Sequence, residues 1–146
     1  AGGVARNIAH HLALLGIKVQ LITVIGNDAD GNWLKDTFQI NGIETNVMLS
    51  VDACTGKYAS VLNSDGSLYV AACTDLCDQY LTPDFLKQHE RYLSTAKMII
   101  AETNLSKNTL QWIISFCNKM NIHLVLEPVS ILKAKKILLI QLMNYC

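Results

Sequence analysis

Ala1-Gly2-Gly3-Val4-Ala5-Arg6-Asn7-Ile8-Ala9-His10-His11-Leu12-Ala13-Leu14-Leu15-Gly16 is the most informative stretch of the chain. Two glycines run straight into an amphipathic helix, in which Val4, Ile8, Leu12 and Leu15 recur at helical spacing and Gly16 is the stop. Glycine lets a ligand approach the backbone without meeting a Cβ, and first-turn N–H groups have no partner inside the helix. Arg6 adds a fork of donors, and Asn7 adds an amide that both donates and accepts. Together they suit a polyhydroxylated ligand or an anion. A tight turn before a solvated arginine has the same pattern, so the residues beyond Gly16 must decide between the two.

Outward from Gly16, Val19 to Ile25 is a β-branched apolar run ended by Gly26-Asn27-Asp28, which predicts one buried strand. Asp30-Gly31 leads into a helix of about ten residues with Trp33, Leu34 and Phe38 apolar and Asn41-Gly42 as its stop. Strand and helix alternating in this rhythm predict a parallel sheet covered by helices. The texture then changes. Val47 to Val51, Tyr58 to Leu62 and Leu68 to Ala72 read as three short strands, the last two joined by Asn63-Ser64-Asp65-Gly66. Asp-Gly there is a hairpin signal. The strand over Tyr58 to Leu62 does not separate into polar and apolar faces, so both faces are expected to be covered.

Thr82-Pro83 marks a helix start, with Thr82 as cap, Pro83 in the first position and Leu81 stapled onto Leu86; the helix is expected to reach Leu93. Lys97 to Ala101 reads as a strand with Glu102-Thr103-Asn104 at its C-terminal end, where open α/β sheets bind ligands. Ser106 caps a helix with Leu110, Ile113, Ile114, Cys117 and Met120 as its core face. Ile122 to Leu126 reads as a strand ending in Glu127-Pro128-Val129-Ser130.

The totals bound the rest. At 146 residues and 51% hydrophobic, the chain is one domain's worth of sequence and able to bury a core. Twelve basic against twelve acidic residues point to neither nucleic acid nor an acidic membrane surface. The five cysteines are odd in number and irregular in spacing, which predicts a reducing cytoplasm. Cys73 and Cys77 lack a second pair at zinc spacing, so reduced thiols and no metal site are expected. No apolar run reaches the roughly 18 residues of a membrane span.

These motifs resemble the PfkB (ribokinase-like) family of sugar and nucleoside kinases, whose first signature is Gly-Gly-x-x-x-Asn before an Ala-rich helix ending in Leu-Gly. Gly2, Gly3, Asn7 and Leu15-Gly16 stand at those places, and the variant from Gly2 to Ala9 looks most like the pseudouridine kinase branch. Gly26, Asp28 and Gly31 match its Gly-x-Asp-x-x-Gly, Thr55-Gly56 its Thr-Gly, and Glu127-Pro128-Val129-Ser130 its Asp-Pro-Val-Ser with Glu for Asp. The resemblance implies an α/β fold with a Rossmann-type parallel sheet flanked by helices and a small antiparallel lid inserted at about 43–72. It covers residues 1–136, with 137–146 a divergent tail.

What the resemblance implies for function is an ATP-dependent kinase, most simply of pseudouridine at the ribose 5′-hydroxyl. Ribokinase or another carbohydrate kinase is the second reading, and a non-catalytic sugar-binding remnant the third. Gly2, Gly3 and Asn7 would hold ribose hydroxyls, Arg6 would face the base or phosphate side, Thr55 and Lys57 would stand at the lid's return, and Glu102 or Asn104 would meet sugar hydroxyls. Asp28 is expected to brace a loop. The family's Thr-Pro-Asn-x-x-Glu and Gly-Ala-Gly-Asp do not occur in the sequence, nor does a P-loop. The expectation is therefore a substrate-binding half without catalytic residues, with ATP and Mg²⁺ bound in a longer parent and a homodimer formed through the lid.

Overall fold

Residues 2–135 are described in a computed structural model of the chain. They fall into two compact units, divided between Leu76 and Cys77. The tail read at 137–146 lies outside the described residues.

In the first unit, α1 (Val4–Leu14) ends as its glycine requires. Gly16 adopts φ +75, its N–H donates to Ala13 O, and the Ile17 N–H donates to Leu12 O, closing the last turn. The face it covers is wider than the expected one and leaves out Leu15. Ala5, Ala9 and Ala13 pack into the cluster of Leu21, Phe38 and Ile43, whereas Leu15 is 75% exposed. Val4, Ile8 and Leu12 are half-buried, as Ala5 and Ala13 are, and Ala9 is the buried residue of the helix.

The run expected as one strand divides into β1 (Val19–Gln20) and β2 (Val24–Gly26). Each pairs parallel, β1 with β3 (Ile43–Glu44) and β2 with β4 (Leu49–Val51). Hydrogen bonds from Leu21 N to Glu44 O and from Leu49 N to Thr23 O carry the pairing across the break. Between them crosses α2 (Ala29–Ile40), which buries Phe38 and packs Leu34 on the same cluster. Trp33, expected on that apolar face, is 54% exposed. The strand read at Val47 to Val51 thus belongs to a β-α-β unit.

The hairpin is β5 (Tyr58–Leu62) and β6 (Leu68–Cys73), antiparallel with a register shift at Val61/Leu62. Its turn follows the Asp-Gly signal: Gly66 has φ +83, and Asp65 Oδ1 accepts from the N–H and hydroxyl of Ser67. Every residue from Gly56 to Asp75 is exposed, so neither face has the expected cover among the described residues.

The second unit starts within α3 (Leu76–Tyr80). In α4 (Pro83–Gln88), Thr82 accepts from Phe85 N and Pro83 takes the first turn, as read. The helix expected to reach Leu93 breaks at His89 (φ −111) and restarts as α5 (Glu90–Leu93). Then come β7 (Met98–Glu102), α6 (Lys107–Met120) and β8 (His123–Glu127), with β7 and β8 parallel from Met98↔His123 to Glu102↔Glu127. Helix α6 buries Thr109, Leu110, Ile113, Phe116 and Cys117. Phe116 takes the place expected of Met120, which is 42% exposed, and Ile114 is only half-buried. The buried Thr109 hydroxyl is satisfied by Leu81 O at 2.8 Å. No helix among the described residues is long and apolar enough to cross a membrane.

Candidate functional site

At the head of α1, Gly3 sits at φ +100, a conformation that favours glycine, and offers no side-chain cap. Gly2 and Asn7 are exposed, and the Asn7 N–H closes the first helical bond onto Gly3 O at 2.9 Å. Arg6 folds back, its Nε donating to Gly2 O at 3.4 Å. All four expected residues therefore gather on one helix start.

Thr55 and Lys57 meet a different structure, built on Asp28. Asp28 caps α2 by accepting from Gly31 N at 2.8 Å. The same carboxylate accepts the Thr55 hydroxyl at 2.6 Å and the Thr55 N–H at 2.8 Å. These bonds, the Thr55 hydroxyl first and then the Thr55 and Gly31 amides, hold the Asp28 carboxyl at about 2, below its ordinary value. Thr55 is buried and its Oγ1 also accepts from Gly26 N at 3.0 Å. A Cβ on Gly26 would lie 2.2 Å from Ala53 O, and one on Gly31 2.1 Å from Gly26 O, so the loop closes only around glycines. Asp28 is the brace the sequence predicts. Lys57, at the foot of the hairpin, pairs with Asp30 at 2.6 Å, which raises its pKa. Both side chains are more than half exposed, so the pair contributes little to stability.

In the second unit, Glu102 and Glu127 are the last residues of β7 and β8 and are register partners. Partners in a parallel pair point to the same side of the sheet, so two carboxylates stand together at the C-terminal edge. Asn104 Nδ2 donates to Glu102 Oε1 at 2.8 Å, which joins the two competing candidates in one unit. Glu127 Oε1 accepts from Val129 N at 3.2 Å, and Val129 adopts φ 58. A β-branched residue there is strained by about 1–3 kcal/mol. That bend turns the chain into a helical turn at 131–135, begun by Ser130 accepting from Lys133 N. Lys133 Nζ then donates to Asn104 Oδ1.

A scan against family models matches the pfkB family carbohydrate kinase model over residues 1–144. The chain belongs to the pfkB family of carbohydrate kinases. Among this family's curated members, the pseudouridine kinase of Escherichia coli (strain K12) is 35% identical over 93% of this chain and 43% of its own length. A guanosine-inosine kinase of Exiguobacterium acetylicum is 27% identical over 84% of the chain and 41% of its own. A carbohydrate kinase from Agrobacterium tumefaciens superposes with TM-score 0.76 at 26% identity, covering 89% of this chain and 43% of that one. The chain thus spans less than half the length of these relatives. The fold is ribokinase-like, with parallel strands flanked by helices and a small antiparallel sheet.

For a pfkB-family chain, sequence reasoning missed Lys133 and the Asp28–Thr55 contact. For the first, Ser130 is a residue type that starts helices, but nothing local ties Lys133 to Asn104, 29 positions away. The second spans 27 positions, and no local pattern announces it. Cys54, Cys73, Cys77 and Cys117 are free thiols, and burial pushes the Cys117 thiol up. An open cleft of about 450 Å³ lined by Lys87, Arg91, Phe116 and Met120 holds none of the expected site residues.

Proposed function

We propose that this chain carries the sugar-holding part of an ATP-dependent kinase that phosphorylates the ribose 5′-hydroxyl of pseudouridine. The observation that carries the reading is the 35% identity to a pseudouridine kinase over 93% of the chain. In this reading Gly2, Gly3 and Asn7 present backbone and amide groups to ribose hydroxyls, and Arg6 faces the base or phosphate side. Glu102 and Asn104 accept and donate at the edge of β7, while Thr55 and Lys57 frame the foot of the hairpin. Among the described residues no three His, Cys, Asp or Glu side chains gather to hold a metal ion. The roles assigned to this chain are holding and orienting the acceptor, with ATP and Mg²⁺ acting in the whole protein. The exposed hairpin closes over the ligand or against a second copy, in the cytoplasm.

The identity to a guanosine-inosine kinase supports a second reading, a purine nucleoside acceptor. The test is a panel of pseudouridine, uridine, inosine, ribose and fructose offered to the full-length protein with ATP, with mass spectrometry of the monophosphates. Pseudouridine monophosphate as the main product is expected. Inosine monophosphate in its place selects the second reading, and sugar phosphates alone overturn both.

A further inference from the structure

Beyond the sugar-holding residues, we infer that Lys133 is a positioning residue that sets the direction of the Asn104 amide and, through it, of the Glu102 carboxylate. The inference deepens the proposed sugar-holding site and rests on that reading. The geometry is specific. Lys133 Nζ, which can only donate, meets Asn104 Oδ1, and this leaves the Asn104 NH₂ as the group facing Glu102 Oε1 at 2.8 Å. An asparagine side chain without such a partner is free to exchange its oxygen and nitrogen by rotation. The opposite orientation would set a carbonyl oxygen against the carboxylate. Glu102 accepts only from the NH₂ end, Lys133 donates only to the oxygen end, and the two together hold one orientation of the amide; all three side chains are half-buried.

The delivery of Lys133 is a built feature of the second unit. Thr103 ties the two post-strand segments together, its N–H donating to Glu127 O at 3.0 Å and its hydroxyl to Pro128 O. Glu127 Oε1 holds Val129 N, and Val129 turns in the left-handed region. Ser130 then starts the turn that carries Lys133 back across 29 positions of sequence to Asn104. The ligand class such an arrangement serves is a vicinal diol, whose hydroxyls donate to an oriented carboxylate.

The relay is read in two ways in the full-length protein. In ¹H–¹⁵N spectra, the Asn104 side-chain NH₂ resonances move in Lys133→Met and return toward wild type in Lys133→Arg. In kinetics, Lys133→Met raises KM for the nucleoside about tenfold, the scale of one hydrogen bond to a charged group. KM for ATP and kcat stay unchanged, and in an Asn104→Ala background Lys133→Met adds nothing further. Unmoved Asn104 resonances, additive effects, or a change confined to KM for ATP would each overturn the relay. If the wild-type protein phosphorylates no nucleoside or sugar, the substrate reading fails by itself, and the resonances still decide the relay.

Discussion

Asp28 grips Thr55 with both carboxylate oxygens, Oδ1 on the hydroxyl at 2.6 Å and Oδ2 on the N–H at 2.8 Å, while also capping α2 through Gly31. One short side chain thereby fixes the start of a helix, the strand end at Gly26 through Thr55, and the segment that leads into the hairpin. The brace is what relates the foot of the hairpin to the parallel strands.

The first prediction concerns the buried member of this pair. Thr55→Val keeps the shape but deprives Gly26 N of its acceptor and Asp28 of a donor. A cost of about 1–3 kcal/mol is expected, because a buried donor loses its partner. Urea unfolding measures it, and Thr55→Ser should recover most of the loss. Equal midpoints for wild type and Thr55→Val would mean that the brace carries no stability.

The second prediction comes from the lowered Asp28 carboxyl. A carboxyl whose folded pKa lies below its unfolded value binds protons more readily when unfolded, so its stabilisation is present above about pH 4. It is lost as pH falls through the folded value of about 2. Asp28→Asn should be less stable than wild type at pH 6, and the difference should shrink between pH 4 and pH 2. A difference that stays constant to pH 2 would place the acid sensitivity in other carboxylates.

What the sequence made legible was local chemistry. Gly16 and Gly66 take the positive φ their positions call for, Thr82-Pro83 and Ser106 start helices, and the alternation of strands with α2 and α6 foretold parallel pairing. Choices between neighbouring faces were not legible. In α1 the small Ala9 is buried while Val4, Ile8 and Leu12 are half-buried, a ranking that a hydrophobicity pattern does not register. Partners distant in sequence were hidden too, because no local pattern announces them. Thr55 is an ordinary threonine until Asp28 is beside it, and Lys133 an ordinary surface lysine until Val129 turns the chain. The strand ends fall one residue later than read, which places Glu102 and Glu127 inside the strands as a registered pair.

The third prediction concerns the hairpin. Tyr58, Leu62, Leu68 and Tyr69 are all more than half exposed on β5 and β6, and two strands alone are marginally stable in water. Hydrogen exchange should find 58–73 the least protected strand region, with protection rising on added nucleoside or at higher protein concentration. Ligand- and concentration-independent protection equal to that of Val24–Gly26 would remove the hairpin from any closing or pairing role.

The last prediction is that a polypeptide of these 146 residues alone transfers no phosphate. Phosphoryl transfer needs positioned phosphates, charge neutralisation and a group that aligns or deprotonates the attacking hydroxyl. The resemblance assigns the base to a Gly-Ala-Gly-Asp segment, and no such segment occurs between Ala1 and Cys146. A general base typically contributes about 10²–10⁴ in rate and an oxyanion donor about 10²–10³. The proposed function assigns holding roles, and no activating role, to residues of this chain. Incubation with ATP, Mg²⁺ and pseudouridine should yield no monophosphate by mass spectrometry, while a full-length protein gives product under the same conditions. Turnover by the 146-residue polypeptide that survives repurification and is lost in Asn7→Ala would refute this. It would also require a catalytic group among the residues that the proposed function assigns to binding.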